Sequence, residues 1–567
     1  RKVTWERMGR MCAATLEFTP RQNYTVADRV EQRASAHPER PFLHFRDRVL
    51  SYGEINAEAN RVAHFAIREG LRRGDVVALM MENRPEFITT WIGLAKLGVV
   101  TALVNTNLRG RPLRHALETT EAKLAIAGSE CLGALRGLGL SGRSRKVHVL
   151  SDPESPGTAS PDEDIDSILS GMPTTNPDSS VREGLTAGDD LFYIFTSGTT
   201  GLPKAARYSH LRFFFAGETV SAAAEFDEAD VIGCVLPLYH GAAGVVVISC
   251  ALARGAAIAL RRKFSASRFW DDARRYRITA FQYIGEVCRY LLNRPSRPDD
   301  REHSIRVMVG AGLRADVWGP FQARFGVDRI LEGWSSTESN VNLLNLDNRI
   351  GSCGRIPFRE FHNGRLIRVD SDTGEVVRDA RGFCVECGPN EPGEMIGSIP
   401  DDPELGPGRF EGYTSVEATE QKILRDVFRP GDRWFRSGDL LRRDEEDYYY
   451  FVDRIGDTFR WKSENVSTQE VAESLSGFPG LELANVYGVE VPGTEGRAGM
   501  AALVMRDPAA FDGRAFFDLT SARLPSYAAP VFVRIQTETD LDVQVPEDRS
   551  AARGLRPAPN PGSALHP

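Results

Sequence analysis

The chain has 567 residues, 41% of them hydrophobic and 26% charged, which is typical of a folded protein with several packed domains. A formal net charge of -8 and a pI near 5.8 leave no excess of basic residues for a nucleic-acid partner. The longest apolar region, Val231–Leu260, is interrupted by Pro237, His240 and Arg254, and it therefore lacks the roughly 20 continuous apolar residues of a membrane span.

The expected compartment follows from the N-terminal sequence and the cysteines. Residues 1–20 lack the apolar core of a signal peptide, and the eight cysteines are scattered as in proteins of reducing compartments. Cys384 and Cys387 have the spacing of a metal or redox motif, but without a second pair nearby loop packing is the better interpretation. We expect a cytoplasmic protein, and peripheral contact with the inner face of a membrane is the alternative. No oligomeric state is predicted.

Helical and strand patterns alternate from about residue 25 to 128. Amphipathic helices are predicted at 51–70, 84–98 and 109–122, and short apolar strands at 74–81, 99–105 and 123–128. This alternation predicts parallel strands with crossover helices, whose ligands usually bind at the carboxyl ends of the strands. Residues 151–190 are rich in Pro, Ser and Asp and are predicted to form a surface excursion.

Three further regions complete the predicted organisation. A second α/β block is predicted from residue 193 to about 351, and sequence rich in strands, Gly and Pro follows to about 453. The remaining residues have the pattern of a small α/β unit. The predicted fold class is therefore α/β, with a large N-terminal domain of two α/β subdomains plus a β-rich subdomain, followed by a small C-terminal α/β domain.

The stretch YIFTSGTTGLPKAA, Tyr193–Ala206, places glycines, hydroxyl groups and one lysine after a short apolar run. Gly198 and Gly201 are three residues apart and Lys204 comes three later, so the spacing differs from that of a Walker A loop. Backbone N–H groups freed by glycine, hydroxyl groups and a cation nevertheless suit a polyphosphate. A flexible turn without a ligand is the alternative for this loop taken alone.

Several stretches together resemble the AMP-forming acyl-CoA synthetases, the adenylate-forming superfamily. They are TSGTTGLPKAA at 196–206, PLYH at 237–240, GAGLR at 310–314, WSSTES at 334–339, RSGDL at 436–440 and DRIGDTFRWKSENVST at 453–468. The last of these and residues 264–293 are similar to one branch, the fatty acid transport proteins and very-long-chain acyl-CoA synthetases. The resemblance covers about residues 25–536.

This resemblance implies a two-step reaction that uses ATP, Mg2+ and coenzyme A. A fatty carboxylate attacks the α-phosphate of ATP, and the coenzyme A thiolate then attacks the acyl-adenylate and expels AMP. The residues implied to grip the phosphates are Thr196, Ser197, Gly198, Thr199, Thr200, Gly201 and Lys204. Glu338 is expected to hold Mg2+, and Thr337 is expected to place its hydroxyl near the α-phosphate. An ordinary surface role is the alternative for Glu338.

The resemblance also implies a nucleoside site. Residues expected around the purine are Gly310, Ala311, Gly312, Trp334 and Ser335, with Trp334 stacked on adenine where the family usually has tyrosine. Asp439 is expected to accept hydrogen bonds from both ribose hydroxyls, and Arg454 to support the same ribose. The alternatives are a core position for Trp334, a plain turn for the glycines, and a solvated charge pair for Asp439 with Arg454.

His240 is expected beside the acyl carboxylate, with a purely structural role as the alternative. The apolar stretch after it, 241–253, suits the wall of an acyl-chain pocket or a buried helix equally well. The length of the acyl chain is not predicted.

The implied domains are an adenylate-forming domain at 1–453, a mobile domain at 454–539 and an atypical tail at 540–567. The hinge between the half-reactions is implied at Gly456, because glycine accepts the required backbone change at low cost. The implied coenzyme A face contains Trp461, Lys462, Glu464 and Asn465, while Ser463 replaces the family's usual glycine.

The superfamily's C-terminal catalytic lysine has no counterpart, because no lysine follows Lys462. Back-translating Asp542–Asp548 and reading one nucleotide later permits Thr-Phe-Lys-Tyr-Arg-Lys-Thr, which is similar to the family's motif. Our hypothesis is therefore a frameshift, either real or a sequencing error, and the aperiodic Pro- and Ala-rich ending agrees with it. Sequencing the coding DNA across this junction tests the hypothesis, which fails if no one-base shift restores the lysine.

Three functions are compatible with these residues. The first is an AMP-forming ligase that converts long- or very-long-chain fatty acids to acyl-CoA, an activity that also traps an entering fatty acid and drives uptake. The second is a CoA ligase for another carboxylic acid, such as a sterol side chain or an aromatic acid. The third is a fatty-acid binding or uptake protein whose ligase activity is weak or lost because the lysine is missing.

Overall fold

Two α/β units, a β-rich unit and a small C-terminal unit make up the fold. The computed structural model describes residues 2–138, 146–154, 164–196, 202–370, 373–402, 408–455, 459–461, 464–491 and 497–536, without the side chains of residues 2, 3, 460, 464 and 465. Within these ranges, no helix combines the length and the apolar character needed to cross a membrane. The predicted α/β class is confirmed.

Most of the longer helices belong to the two α/β units. The helices are α1 Lys2–Thr15, α2 Val26–Ala36, α3 Tyr52–Arg68, α4 Pro85–Ala95, α5 Gly110–Thr119, α6 Leu132–Arg136, α7 Asp166–Ser170, α8 His210–Ala224, α9 Ile248–Arg254, α10 Phe269–Arg275, α11 Gly285–Leu292, α12 Ala315–Phe325, α13 Val416–Glu420, α14 Thr468–Ser474 and α15 Gly513–Arg523. A capping box of Ser51 and Glu54 starts α3. A π-helical segment, Gly241–Val247, directly precedes α9.

The strands are short in the α/β units and longer toward the C-terminus. They are β1 Pro41–Phe45, β2 Arg48–Ser51, β3 Val76–Met80, β4 Val100–Leu103, β5 Leu124–Gly128, β6 Lys146–Leu150, β7 Asp190–Thr196, β8 Lys204–Ser209, β9 Val231–Cys234, β10 Ala257–Leu260, β11 Ala280–Ile284, β12 Val307–Ala311, β13 Arg329–Trp334, β14 Leu343–Leu344, β15 Gly354–Arg355, β16 Gly364–Ile367, β17 Gly393–Ser398, β18 Ile423–Arg425, β19 Arg433–Arg443, β20 Tyr448–Arg454, β21 Phe459–Trp461, β22 Glu464–Val466, β23 Leu481–Glu490, β24 Arg497–Met505 and β25 Phe532–Gln536.

The predicted parallel strands are present in two sheets that share one core. The first sheet has the order β6-β5-β3-β4-β7-β8 and is parallel except for the β7–β8 hairpin. The second has the order β14-β13-β12-β11-β9-β10-β1-β2. In it β1 pairs with β10 and β2 with β1, although the strands that follow them in sequence, β3 to β6, belong to the first sheet. A single apolar cluster, with buried members from Phe18 to Leu346, contacts both sheets.

A β-rich sheet and a C-terminal unit follow. The β-rich sheet has the order β15-β20-β19-β17-β16, with β18 paired to β19. The C-terminal unit contains the β21–β22 hairpin and the sheet β23-β24-β25, and its apolar cluster draws its buried members from Phe459 to Ala528. Arg314 after β12 lies 3.6 Å from Glu473 of α14, so this unit contacts the second α/β unit.

Candidate active site

The predicted phosphate-binding loop connects the two strands of the β7–β8 hairpin. Thr196 ends β7 and pairs directly with Lys204, which starts β8. Lys204 Nζ lies 3.4 Å from Gln421 Oε1 and 5.9 Å from the centre of the Tyr413 ring. The predicted phosphate ligands Ser197, Gly198, Thr199, Thr200 and Gly201 lie outside the described residues. The described ends of the loop thus hold a hydroxyl and an ammonium group side by side.

Tyr413 joins this hairpin to Glu338. Its backbone forms an antiparallel bridge with Ala206 of β8, and its hydroxyl donates a hydrogen bond of 2.9 Å to Glu338 Oε1. Burial, followed by the charge of Glu338, raises the pKa of the Tyr413 hydroxyl, which also interacts with the Thr196 side chain. Tyr413 therefore stays a neutral donor and holds the Glu338 carboxylate near the loop end of the hairpin.

Glu338 has the features of a carboxylate that holds a cation. It is only 7% exposed, and its second oxygen, Oε2, is buried without a hydrogen-bond partner. A buried ionised oxygen left unpaired is costly, so this donor fits Mg2+, which commonly uses one or two carboxylates together with substrate phosphates. Among the described residues, no group of three or more His, Cys, Asp or Glu side chains could hold a metal ion.

Arg212 of α8 fixes the loop that carries Thr337 and Glu338. Its guanidinium donates hydrogen bonds of 2.8 Å to the carbonyls of both Thr337 and Ser339. Ser335, at the start of the loop, is exposed and donates to the Ser336 carbonyl. The loop is thus anchored on both sides of Glu338, while Ser335 faces solvent.

The His240 segment lies opposite Thr337. A Cβ placed on Gly241 would be 3.8 Å from Thr337 Oγ1 and 3.9 Å from Ile194 Cδ1, with no closer contact. His240 precedes the π-helical segment, a rare conformation that is frequent at functional sites, and its ring lies 4.6 Å from that of Tyr239. A methyl group at Gly241 would therefore lie in van der Waals contact with the Thr337 side chain, so this turn and Thr337 are close neighbours.

The predicted purine loop leaves the end of β12. A Cβ on Gly310 would lie 2.2 Å from the Tyr283 carbonyl oxygen, and Gly312 has a φ of +80°, so both positions require glycine. Ala311 and Gly312 are exposed. The backbone of this loop is accordingly close to β11 on one side and open on the other.

Glu332 of β13 is hydrogen-bonded to the backbone of this loop. Its Oε1 accepts hydrogen bonds from the backbone N–H groups of Gly312 (2.6 Å) and Leu313 (3.1 Å), and its Oε2 accepts one from Tyr283 Oη (2.5 Å). Burial raises the pKa of Glu332 to about 8, against the lowering effect of these three donors. The buried carboxyl group ties three neighbouring parallel strands together at their carboxyl ends.

Trp334, Asp439 and Arg454 form a second group of predicted residues. Trp334 Nε1 donates a hydrogen bond of 2.8 Å to Asp439 Oδ2, and Arg454 Nε lies 3.6 Å from Asp439 Oδ1. Trp334 is 6% exposed and belongs to an apolar cluster, so little of its ring is open, and stacking on adenine stays a prediction. Burial raises the pKa of Asp439, while the charge of Arg454 and the hydrogen bond from Trp334 act in the opposite direction.

The predicted coenzyme A face is described only in part. Trp461 packs against the C-terminal apolar cluster, and the backbones of Glu464 and Asn465 pair with β21. Gly456 and Lys462 lie outside the described residues, as does the tail 537–567, so the hinge and frameshift hypotheses stay predictions. Cys384 and Cys387 are buried free thiols in two apolar clusters.

Three residues of the site were missed by the sequence interpretation. Tyr413, Arg212 and Glu332 act through contacts with residues 75, 125 and 20 positions away, and no spacing pattern links them to those partners. The one available signal was the charge of Glu332 directly after the apolar residues Ile330 and Leu331, since buried charges usually have a specific partner.

The amino-acid sequence is similar to those of known proteins. Residues 30–400 match the family model described as "AMP-binding enzyme". Long-chain fatty acid transport protein 2 of Rattus norvegicus is 42% identical over 90% of this chain and 82% of its own. The medium/long-chain-fatty-acid–CoA ligase FadD6 of Mycobacterium tuberculosis is 39% identical over 91% of this chain and 83% of its own.

A solved structure shares the fold. The anthranilate CoA ligase AuaEII, in complex with anthranoyl-AMP, superposes with a TM-score of 0.74 at 20% identity, covering 91% of this chain and 94% of that one. The family match and the sequence relatives show that the chain belongs to the AMP-binding enzyme family, in the branch of the long-chain fatty acid transport proteins and their fatty-acid–CoA ligase relatives.

Proposed function

We propose that the protein activates long- or very-long-chain fatty acids to acyl-CoA through an acyl-adenylate, with ATP as the energy source. The observation that carries this proposal is the placement of Lys204, Tyr413 and Glu338, because a cation and a carboxylate with an unpaired buried oxygen both lie beside Tyr413. Relatives named as fatty acid transport proteins and as a fatty-acid–CoA ligase support a fatty acid as the carboxylate.

In the first step, a carboxylate oxygen of the acid bonds to the α-phosphorus while the bond to the pyrophosphate oxygen breaks. Lys204 and the hydroxyl of Thr196 bind the departing phosphates, and the Thr337 hydroxyl donates to the α-phosphate. Glu338 would hold Mg2+, which when bound neutralises charge on the triphosphate. His240, whose neighbour Gly241 lies next to Thr337, binds and orients the attacking carboxylate.

Nucleoside contacts hold the reacting phosphate in place. Asp439 accepts hydrogen bonds from the ribose hydroxyls, with Arg454 beside it, and the exposed backbone of Ala311 and Gly312 lies against the purine. In the second step, the coenzyme A thiolate attacks the acyl carbon, and AMP leaves with the carboxylate oxygen that it gained. The proposal assigns the coenzyme A face to Trp461, Lys462, Glu464 and Asn465, and the hinge to Gly456.

An apolar crevice supports a hydrocarbon chain as part of the substrate. It is lined by Val220, Phe226, Ile232, Val246, Val247, Cys250, Phe281, Gln282 and Val309. Two of its walls come from the π-helical segment that begins one residue after His240 and from β12, which ends in the purine loop. Apolar side chains thus line the segment that follows His240, where a hydrocarbon chain attached to the carboxylate would lie.

A fatty-acid binding or uptake protein with weak or lost ligase activity is the second candidate. The observation in its favour is the absence of any lysine after Lys462. Pyrophosphate release separates the two, measured with ATP, Mg2+ and palmitate, with and without coenzyme A. Release that depends on palmitate supports the ligase. Palmitate binding without release supports the second candidate, and a parallel panel of sterol and aromatic acids identifies a different substrate.

A further inference from the structure

Asn83 connects the two α/β units at the acyl end of the site. It lies just beyond the end of β3 in the first unit and is only 4% exposed. Its Nδ2 donates to the carbonyls of Leu236 (2.8 Å) and Arg261 (3.0 Å), and its Oδ1 accepts from the Leu238 N–H (2.8 Å). These three hydrogen bonds all reach residues of the second unit.

The orientation of this amide follows from its partners. Two carbonyls require donors and one N–H requires an acceptor, so only one placement of the amide oxygen and nitrogen satisfies all three. Both amide protons and the carbonyl oxygen are used. Asn83 is therefore fully committed to the second unit, and its role differs from that of a side chain that merely fills space.

The segment that Asn83 holds is the one that leads to His240. Leu236 and Leu238 flank Pro237, which has no N–H group, so one side chain fixes the backbone on both sides of the proline. The Pro237 carbonyl then accepts a hydrogen bond of 3.1 Å from the His240 N–H. The position of His240 thus follows from a turn whose first residues are bonded to Asn83.

The π-helical segment packs on the same turn. A Cβ placed on Gly244 would lie 2.0 Å from the Leu238 carbonyl oxygen, so this peptide is in direct contact with the segment. Gly244 N–H also donates to the His240 carbonyl (2.8 Å). A shift of Leu238 would therefore move His240 and Gly241 together relative to Thr337.

We propose that Asn83 is a positioning residue for the acyl substrate, a role that rests on the function proposed above. It sets the distance between the His240 turn and Thr337, and it does so from outside the reacting groups. Neither the purine loop nor the Trp334–Asp439 pair is bonded to it, so the effect of Asn83 falls on the acid and spares the nucleotide.

Binding measurements on the full chain test this proposal without requiring turnover. The probes are palmitoyl sulfamoyladenosine, a stable mimic of the acyl-adenylate, and AMP, both titrated by calorimetry. Asn83→Ala is expected to weaken the acyl-adenylate mimic by about tenfold or more, because buried hydrogen bonds are lost, and to leave AMP affinity within about twofold. Asn83→Asp keeps the size and the acceptor but loses both donors, and it is expected to show the same selective loss.

Asn60→Ala is the matched control. Asn60 is also a buried asparagine of the first unit, and it donates to the Thr174 carbonyl (2.7 Å) far from the turn. This variant is expected to lower thermal stability without changing either affinity. Equal losses for the mimic and AMP in both Asn83 variants, or no loss in either, overturns the proposal. If instead the wild-type chain binds the mimic no more tightly than AMP, the result argues against an acyl site, and the proposed function fails.

Discussion

Tyr413→Phe removes one hydroxyl from the most distinctive contact of the site. That hydroxyl donates a hydrogen bond to Glu338 Oε1, while Glu338 Oε2 has no hydrogen-bond partner among the described residues. A hydrogen bond to a charged group contributes about 1.5–3 kcal/mol. Without this bond, Glu338 is held less firmly in its position. Since about 1.4 kcal/mol corresponds to a tenfold change, we expect kcat/KM for MgATP to fall about 10- to 150-fold, with a higher Mg2+ concentration needed for half-maximal rate.

The assay is palmitate-dependent pyrophosphate release at varied MgATP and varied free Mg2+. Tyr52→Phe serves as the matched control, because the Tyr52 hydroxyl is also buried but donates to the Ala251 and Ala256 carbonyls in the core. The control is expected to lose stability and keep its MgATP dependence. If Tyr413→Phe and Tyr52→Phe have the same MgATP and Mg2+ dependence, Tyr413 does not position Glu338 and the assignment of this carboxylate is wrong.

Two further predictions concern buried ionisable groups. The pKa of Glu332 is raised to about 8 in the folded state, so its contribution to stability is present below its unfolded pKa near 4.5 and is lost as pH rises through 8. Glu332→Gln can keep the bonds from Gly312 and Leu313 but does not titrate. Its urea midpoint should therefore fall less between pH 5 and 8 than that of the wild-type protein, and an equal fall in both proteins contradicts this prediction. Lys96 is fully buried and 2.6 Å from Glu31, so Lys96→Met should lower the free energy of unfolding by about 3 kcal/mol. A loss below about 1 kcal/mol by urea denaturation would show that Arg182, which also binds Glu31, is sufficient.

The periodic parts of the fold were predictable because their signals are local. The pattern predicted a helix at 51–70 and a strand at 74–81, and the structure has Tyr52–Arg68 and Val76–Met80 at these places. Burial on both faces makes such a parallel strand a continuous apolar run. Sheet membership is a long-range property, and nothing local indicates that Pro41–Phe45 pairs with Ala257–Leu260.

The candidate site divides in the same way. Lys204 and Glu338 were predicted from short stretches whose residue types suit phosphate and cation chemistry. Tyr413 and Asn83 were not, because each acts through a hydrogen bond to a residue distant in sequence. A lone tyrosine or asparagine in a chain of this length carries no pattern, and only the folded structure shows which backbone or carboxylate it meets.

In the proposed reaction, the carboxylate of a fatty acid attacks the α-phosphate of ATP in this site. The most direct measurement supplies palmitate labelled with oxygen-18 in its carboxylate, together with ATP, Mg2+ and coenzyme A, and analyses the nucleotide product by mass spectrometry. An acyl-adenylate route predicts AMP that carries one labelled oxygen, formed together with palmitoyl-CoA. Formation of ADP, or of AMP without label, would contradict the account.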